Sequence, residues 1–409
     1  MSDMQAEADH TATLDEVITT VIMARVTDFF GFFVYGIACA LVFPTLFFPM
    51  YDVMTGTLLS FGTFALAFVV RPFAQIWARA MVPRVGRTGK VTVALFLLGT
   101  ATVAIGLLPG YEVIGWTAPI LLCVLRIAQG IGLGAAWDGI TMQLRKAAPA
   151  GYEARYAMVA QLGGPIGFCE AASLFNVLTG FLTPEEFLNY GWRFAFFAVM
   201  AVNVVSRFAR LRLLQTDFGG DDVSFQSAPF MELVTTQWRP ILISTMLPLA
   251  SYALFHMVTI FPLAYQLIYG SVYIETLLLW QTVGATLAIV TVIASGIIAD
   301  KFGQRIVHWA VTLSIVLLCL LMPTLETNPA IYIIVGFVLL GFSYGQASAI
   351  VPGRFPPRFR YSGSALSTNL SWIVGAAFAP LSGLRHTAAF GQWAAALYLL
   401  SGVIVTAVT

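Results

Sequence analysis

The stretch Gly296-Ile297-Ile298-Ala299-Asp300-Lys301-Phe302-Gly303-Gln304-Arg305 decides how this chain is organised. An apolar run ends in an acid, a lysine, a glycine and an arginine, and a second apolar run begins at once. An earlier stretch, Arg79-Ala80-Met81-Val82-Pro83-Arg84-Val85-Gly86-Arg87, has the same form. In both, a basic residue is followed two positions later by Gly, between two apolar runs. The recurrence predicts two related halves, each with such a loop after its second span.

Composition sets the class. Of the 409 residues, 59% are hydrophobic and 10% are charged, whereas a soluble domain carries roughly 25% charged residues. A soluble, nucleic-acid-binding or disordered protein is excluded, and the net charge of +1 points to no partner. A bilayer core about 30 Å thick takes roughly 20 apolar residues per helical span, which leaves room for about twelve. Long apolar stretches such as 315–322 and 394–408 favour helices over the weak alternating strands of an outer-membrane barrel. The expected fold class is therefore an all-α polytopic membrane protein of twelve transmembrane helices in two six-helix halves.

Hydropathy and the basic residues give the topology. Arg79, Arg84, Arg87 and Lys90 follow span two, Arg145, Lys146 and Arg155 follow span four, and Lys301 and Arg305 follow span eight. The opposite loops hold Asp52, Glu112, Glu185, Glu186, Glu275 and Glu326. The positive-inside rule then places both termini in the cytosol. The expected divisions are a cytosolic tail at 1–16, a first six-helix half at 17–213, a cytosolic central loop at 214–237 and a second half at 238–409. Within that loop, residues 216–227 hold Asp217, Gly219, Gly220, Asp221 and Asp222 and form the natural hinge. Paired six-helix halves are a recurrent transporter design, with the site at the midplane and rocking of the halves as the transport step. Cys39, Cys123, Cys169 and Cys319 sit in apolar stretches as small buried hydrophobes, so neither a disulfide framework nor a metal site is expected. No phosphate-binding glycine loop or nucleophile elbow is present, and the chain does not read as an enzyme or as one that needs a cofactor.

Several segments carry a family resemblance. They are Gly296, Asp300, Lys301, Gly303 and Arg305 in the loop; Asp28-Phe29-Phe30-Gly31-Phe32-Phe33-Val34-Tyr35-Gly36 in span one; Arg71-Pro72 in span two; Leu125-Arg126-Ile127-Ala128-Gln129-Gly130 in span four; Gly164-Pro165-Ile166-Gly167 in span five; and Phe355-Pro356-Pro357-Arg358 before span eleven. In order and spacing the chain resembles the major facilitator superfamily. Within it, the chain looks like the metabolite:proton symporter family, whose members include permeases for 2-oxoglutarate, citrate, shikimate and proline/betaine. The resemblance implies a multi-pass protein of the bacterial inner membrane, acting as a monomer, that moves a small organic acid or zwitterionic metabolite with a proton. It also implies gating contacts at the loop signatures, through Arg84, Arg87, Asp300 and Arg305. The chain departs from the family pattern at Gly31, Ala136, Arg79, Pro83 and Gly353, where acids or a glycine are usual. A uniporter or exchanger of the same fold, or a transport-deficient sensor or scaffold, are the alternatives these departures raise.

Charges inside spans are costly and commonly face a cavity or pair with one another. Arg25, Asp28, Arg71, Arg126, Asp138 and Glu170 qualify. Arg126, near the expected midplane, offers a planar fork suited to a carboxylate, or a structural ion pair with Asp28. Asp28 either exchanges a proton as Arg126 approaches or pairs locally with Arg25. Glu170 is either a relocated proton carrier or a neutral carboxyl bonded to a neighbouring helix. Asp138, within about two turns of Arg145 and Lys146, is expected at a gate or helix-end salt bridge. Arg71 reads as a snorkelling or carbonyl-bonding side chain beside Pro72, and His256 as a proton relay or a helix contact. Tyr35, Gln129, Gln161, Tyr252, Gln281, Tyr344, Gln346, Asn369 and Trp372 are the uncharged candidates for a cavity wall.

Overall fold

The structure is a computed structural model that describes residues 14–136, 142, 144–145, 148–215, 228–347 and 349–409, with the backbone alone at 79, 87 and 205–215. The proposed hinge at 216–227 and Asp138 lie outside the described residues, as does the Arg87 side chain. Every element among the described residues is helical. The first half comprises α1 (Leu14–Leu41), α2 (Val53–Ala78), α3 (Thr88–Leu107), α4 (Thr117–Ala135), α5 and α6 (Trp192–Gln215). In α5 a short helix Glu153–Met158 passes through a 3-10 turn Val159–Leu162 into Gly163–Phe181. The second half comprises α7, in segments Trp238–Met246, Leu249–Thr259 and Phe261–Tyr269, then α8 (Ile274–Phe302), α9 (Gln304–Leu320), α10 (Pro329–Ala347), α11 and α12 (Gln392–Val408). A π turn, Trp372–Ala377, splits α11 into Pro357–Ser371 and Ala379–Phe390. Among the described residues, seven helices are long and apolar enough to cross a membrane unaided.

The two loop glycines of the sequence repeat have a shared backbone reason. Gly86 turns α2 into α3 at φ 73°, and Gly303 turns α8 into α9 at φ 90°. This left-handed region costs any side chain with a Cβ. The end of the bundle that bears these loops is called the basic end below, and the opposite one, with Asp52, Glu186 and Glu275, the acidic end.

Small residues let the helices that frame the centre come close. A Cβ on Gly163 would lie 2.4 Å from Arg25 Cβ, and one on Gly167 would lie 2.7 Å from the Phe30 nitrogen, so α5 touches the backbone of α1. Where a proline breaks a helix, a side chain takes over the freed carbonyls. Pro262 interrupts α7, and Gln281 Nε2 of α8 donates to Thr259 O at 2.6 Å and Val258 O at 3.3 Å. Arg193 of α6 likewise donates to Gly106 O at 2.7 Å and Leu108 O at 2.9 Å, covering the orphan carbonyls at the end of α3. The halves meet where α5 packs on α8, α2 on α11 and α1 on α7.

Candidate functional site

Between the halves lies an open cavity of about 1180 Å³, the solvent at its mouth included. It runs from Arg145 and Pro352 at the basic end to Phe32 and Trp372 in the middle of the bundle. α1 supplies Arg25, Asp28, Phe29 and Phe32, and α2 supplies Arg71. Across from them α7 and α10 bring Tyr252 and Tyr344, and α11 brings Asn369 and Trp372. Three cations, Arg25, Arg71 and Arg145, and one acid, Asp28, face this space among the described residues, an excess of two positive charges. Arg25 Nη1 stands 3.9 Å from Asp28 Oδ2, one helical turn along α1. Arg71 lies 5.4 Å from the Phe68 ring centroid.

An aromatic layer closes the cavity toward the acidic end. Phe32 packs on Phe64 at 5.0 Å, on Phe68 at 5.2 Å and on the His256 ring at 5.4 Å between centroids. Phe33 stacks on Phe255 at 5.4 Å, and Tyr252 stacks on Trp372 at 4.6 Å. Both halves contribute, so the layer is also their contact at mid-depth. Such ring pairs add roughly 0.5–1.5 kcal/mol each beyond their buried area.

Arg126 lies outside the cavity, beyond Phe32 and Leu133. Its side chain is 1% exposed. The guanidinium sits 3.8 Å from the Tyr35 ring centroid, donates to Gln129 Oε1 at 2.9 Å and to Phe64 O at 3.3 Å, and makes no ion pair with Asp28. Gln129 in turn donates to Thr102 at 2.8 Å, and Tyr35 shares a 2.8 Å hydrogen bond with Thr63. Burying an ion costs several kcal/mol, against about 2 kcal/mol from a desolvated cation–π contact and roughly 1.5–3 kcal/mol for each hydrogen bond to a charge. These contacts disperse the charge without neutralising it.

Of the residues singled out from sequence, Asp28, Gln161, Tyr252, Tyr344, Asn369 and Trp372 are therefore gathered at the cavity, while Tyr35, Gln129 and Arg126 form a buried cluster behind it. His256 is wholly buried within the aromatic layer, with Nδ1 3.3 Å from Thr259 Oγ1. Glu170 is on the outside of the bundle, in the exposed stripe of α5 that continues to Val177 and Phe181, and it lines no described cavity. Asp300 is buried at the basic end, accepting from Ala154 N at 2.8 Å and lying 2.9 Å from Arg155 Nε, so it joins α8 to α5. Arg84 and Arg305 are exposed on the loops at that end. The sequence left Arg71 to snorkel or to bond the carbonyls beside Pro72, made Arg25 the local partner of Asp28, and gave no role to Phe29. The signal for Arg25, Phe29 and Phe32 was present, since they fall on one helical face with Asp28.

Comparison with known proteins follows this geometry. Residues 29–380 match the family model of the Major Facilitator Superfamily. The inner membrane metabolite transport protein YhjE of Escherichia coli (strain K12) is 33% identical over 398 residues, covering 94% of this chain and 90% of that protein. The shikimate transporter of the same organism is 28% identical over 397 residues, covering 94% and 91%. In fold, the crystal structure of a D-xylose-proton symporter superposes with a TM-score of 0.72 at 14% identity, covering 97% of each chain. Twelve helices in two halves around a central cavity, and a sequence match across nearly the whole length, make this chain a member of the major facilitator superfamily and a metabolite permease of the membrane rather than an enzyme.

Proposed function

We propose that the chain is a secondary transporter that carries a small carboxylate or zwitterionic metabolite by alternating access, in symport with a proton. The observation that carries this reading is the cavity wall itself: Arg25 and Arg71 face Asp28 in a space otherwise lined by Phe29, Tyr252, Tyr344 and Trp372. A planar guanidinium is the natural partner of a carboxylate, and the aromatic faces offer apolar surface to the rest of the molecule or a seat for a cationic group. Asp28, beside Arg25, is the acid that exchanges a proton as substrate enters and leaves. The shikimate transporter's name, a cyclic carboxylate, supports the same class. Both termini face the cytosol in this reading, because the basic loops lie on one end.

The test is thermal unfolding of the purified protein across a panel of metabolites at two pH values, followed by uptake into proteoliposomes. A carboxylate that stabilises the protein by mass action and loses affinity about tenfold or more in Arg71→Gln is the expected outcome. Undiminished binding and uptake in that variant would remove Arg71 from the site. Asp28→Asn is expected to retain exchange of substrate for substrate while losing accumulation driven by a pH gradient.

A further inference from the structure

Behind the cavity, Arg126 faces a second, smaller pocket of about 260 Å³ of empty space, between α1, α3, α4 and α6. Thr102, Gln129, Gly31, Asn203 and Asp28 share its wall. Its centre has room for roughly one water-sized particle, too little for a metabolite. Two observations favour a negatively charged occupant. Arg126 is buried, has no carboxylate within ion-pair distance among the described residues, and its Nε–H has no hydrogen-bond partner. Of the polar groups around it, Gln129 and Thr102 are already engaged with each other, and Thr27 is bonded to the Met23 carbonyl.

Gly31 lines the pocket on the α1 side. A Cβ there would meet Val199 Cγ1 at 2.8 Å, so the close approach of α1 to α6 also keeps larger residues out. A buried cation with an unused donor, an amide at Asn203 on the same wall and space for one small particle suit a monatomic anion better than neutral water. We propose that this pocket is an internal halide site, in which chloride accepts from the Arg126 guanidinium and the Asn203 amide. Asp28, on the same wall, opposes the anion and sets its affinity in the millimolar range rather than lower. The site adjoins the substrate cavity, sharing Asp28, Phe32 and Leu133 with its wall, and does not depend on which metabolite is carried.

The full-length protein, purified in detergent, is unfolded thermally in sodium gluconate, with chloride or bromide replacing gluconate at constant ionic strength. The expected result is a saturable rise of about 2–4 °C, equal for chloride and bromide, with bromide's anomalous scattering in crystals peaking beside Arg126. Arg126→Gln is expected to abolish the rise. Because that variant removes a buried network, Asn203→Leu is the second one, expected to weaken halide affinity about tenfold while the helical content stays unchanged. Identical unfolding in gluconate and chloride overturns the proposal, as does a halide response that Asn203→Leu leaves intact or a bromide peak elsewhere.

Discussion

At the basic end of the bundle α5 meets α8 through Asp300, whose carboxylate accepts from Ala154 N at 2.8 Å and lies 2.9 Å from Arg155 Nε. Toward the acidic end the polar contacts between the same two helices are neutral among the described residues: Asn176 Nδ2 donates to Glu275 O at 2.6 Å, and Cys169 Sγ lies 3.9 Å from Thr282 O and 3.7 Å from Thr286 Oγ1. The seam is thus ionic at one end and neutral at the other. The basic end has further ties between the halves, from Arg145 to the Ala349 carbonyl and from Asn369 to Gln75 Oε1 at 3.1 Å. A transporter that rocks about a central site must release each end in turn. In the alternating-access reading proposed above, the difference makes release at the basic end the costlier of the two and the step at which charge is exposed.

The largest expected effect comes from cutting the ionic end. Asp300→Ala should cost about 2–3 kcal/mol of unfolding stability, held to that range because Arg155 is partly exposed, and should increase the labelling of single cysteines in the cavity from the basic side. Asp300→Asn should keep the bond from Ala154 and about half of the effect. A smaller change tests the loops that bear this end. Gly303→Ala should cost about 1–2 kcal/mol, and Gly86→Ala should cost the same, since at neither position does a Cβ meet a neighbour and only the positive φ opposes it. Unequal costs would show that the two loops are not equivalent turns.

Asn176→Ala should cost about 1 kcal/mol and shift labelling toward the acidic side, opposite in sense to Asp300→Ala. A shift in the same sense would break the comparison. The smallest effect concerns the acidic-end helix caps. The Thr55 hydroxyl, and then its backbone N–H, hold the Asp52 carboxyl below the usual carboxylate range, and the Thr183 N–H and hydroxyl do the same for Glu186. With folded pKa values depressed, their contribution is complete above the unfolded value near about 4 and is lost as pH falls through the folded values. Unfolding temperatures measured between pH 3 and 6, pH values chosen about the reference range, should show this loss in the parent and less of it in Thr55→Val and Thr183→Val.

Much of the fold was legible before the structure. The repeat around Gly86 and Gly303, the alternating basic and acidic loops, and the apolar runs are local patterns, and they led to twelve spans in two halves. The site was legible only in part. Which side of a helix faces the centre depends on the rotation set by its neighbours, and a charge in a span does not report that rotation. Glu170 shows the difficulty, since Gly167, Phe168, Ala171 and Phe175 turn their face of α5 inward and leave Glu170 outside. Arg126 shows another. Its depth along α4 is readable from the sequence, but the wall of Phe32 and Leu133 that separates it from the cavity depends on residues brought from two helices.

The aromatic layer of Phe32, Phe64, Phe68, His256 and Trp372 has an electrical consequence. Where electrolyte fills the cavity to the depth of Arg25 and Asp28, the transmembrane voltage falls across the packed part of the bundle between this layer and the acidic end instead of across the full bilayer. A unit charge crossing that part does work of about 2.3 kcal/mol per 100 mV, although it travels less than the membrane's thickness. The layer and the core beyond it act as the dielectric of a capacitor, and Asp28 lies at the edge of one plate, the floor of the cavity.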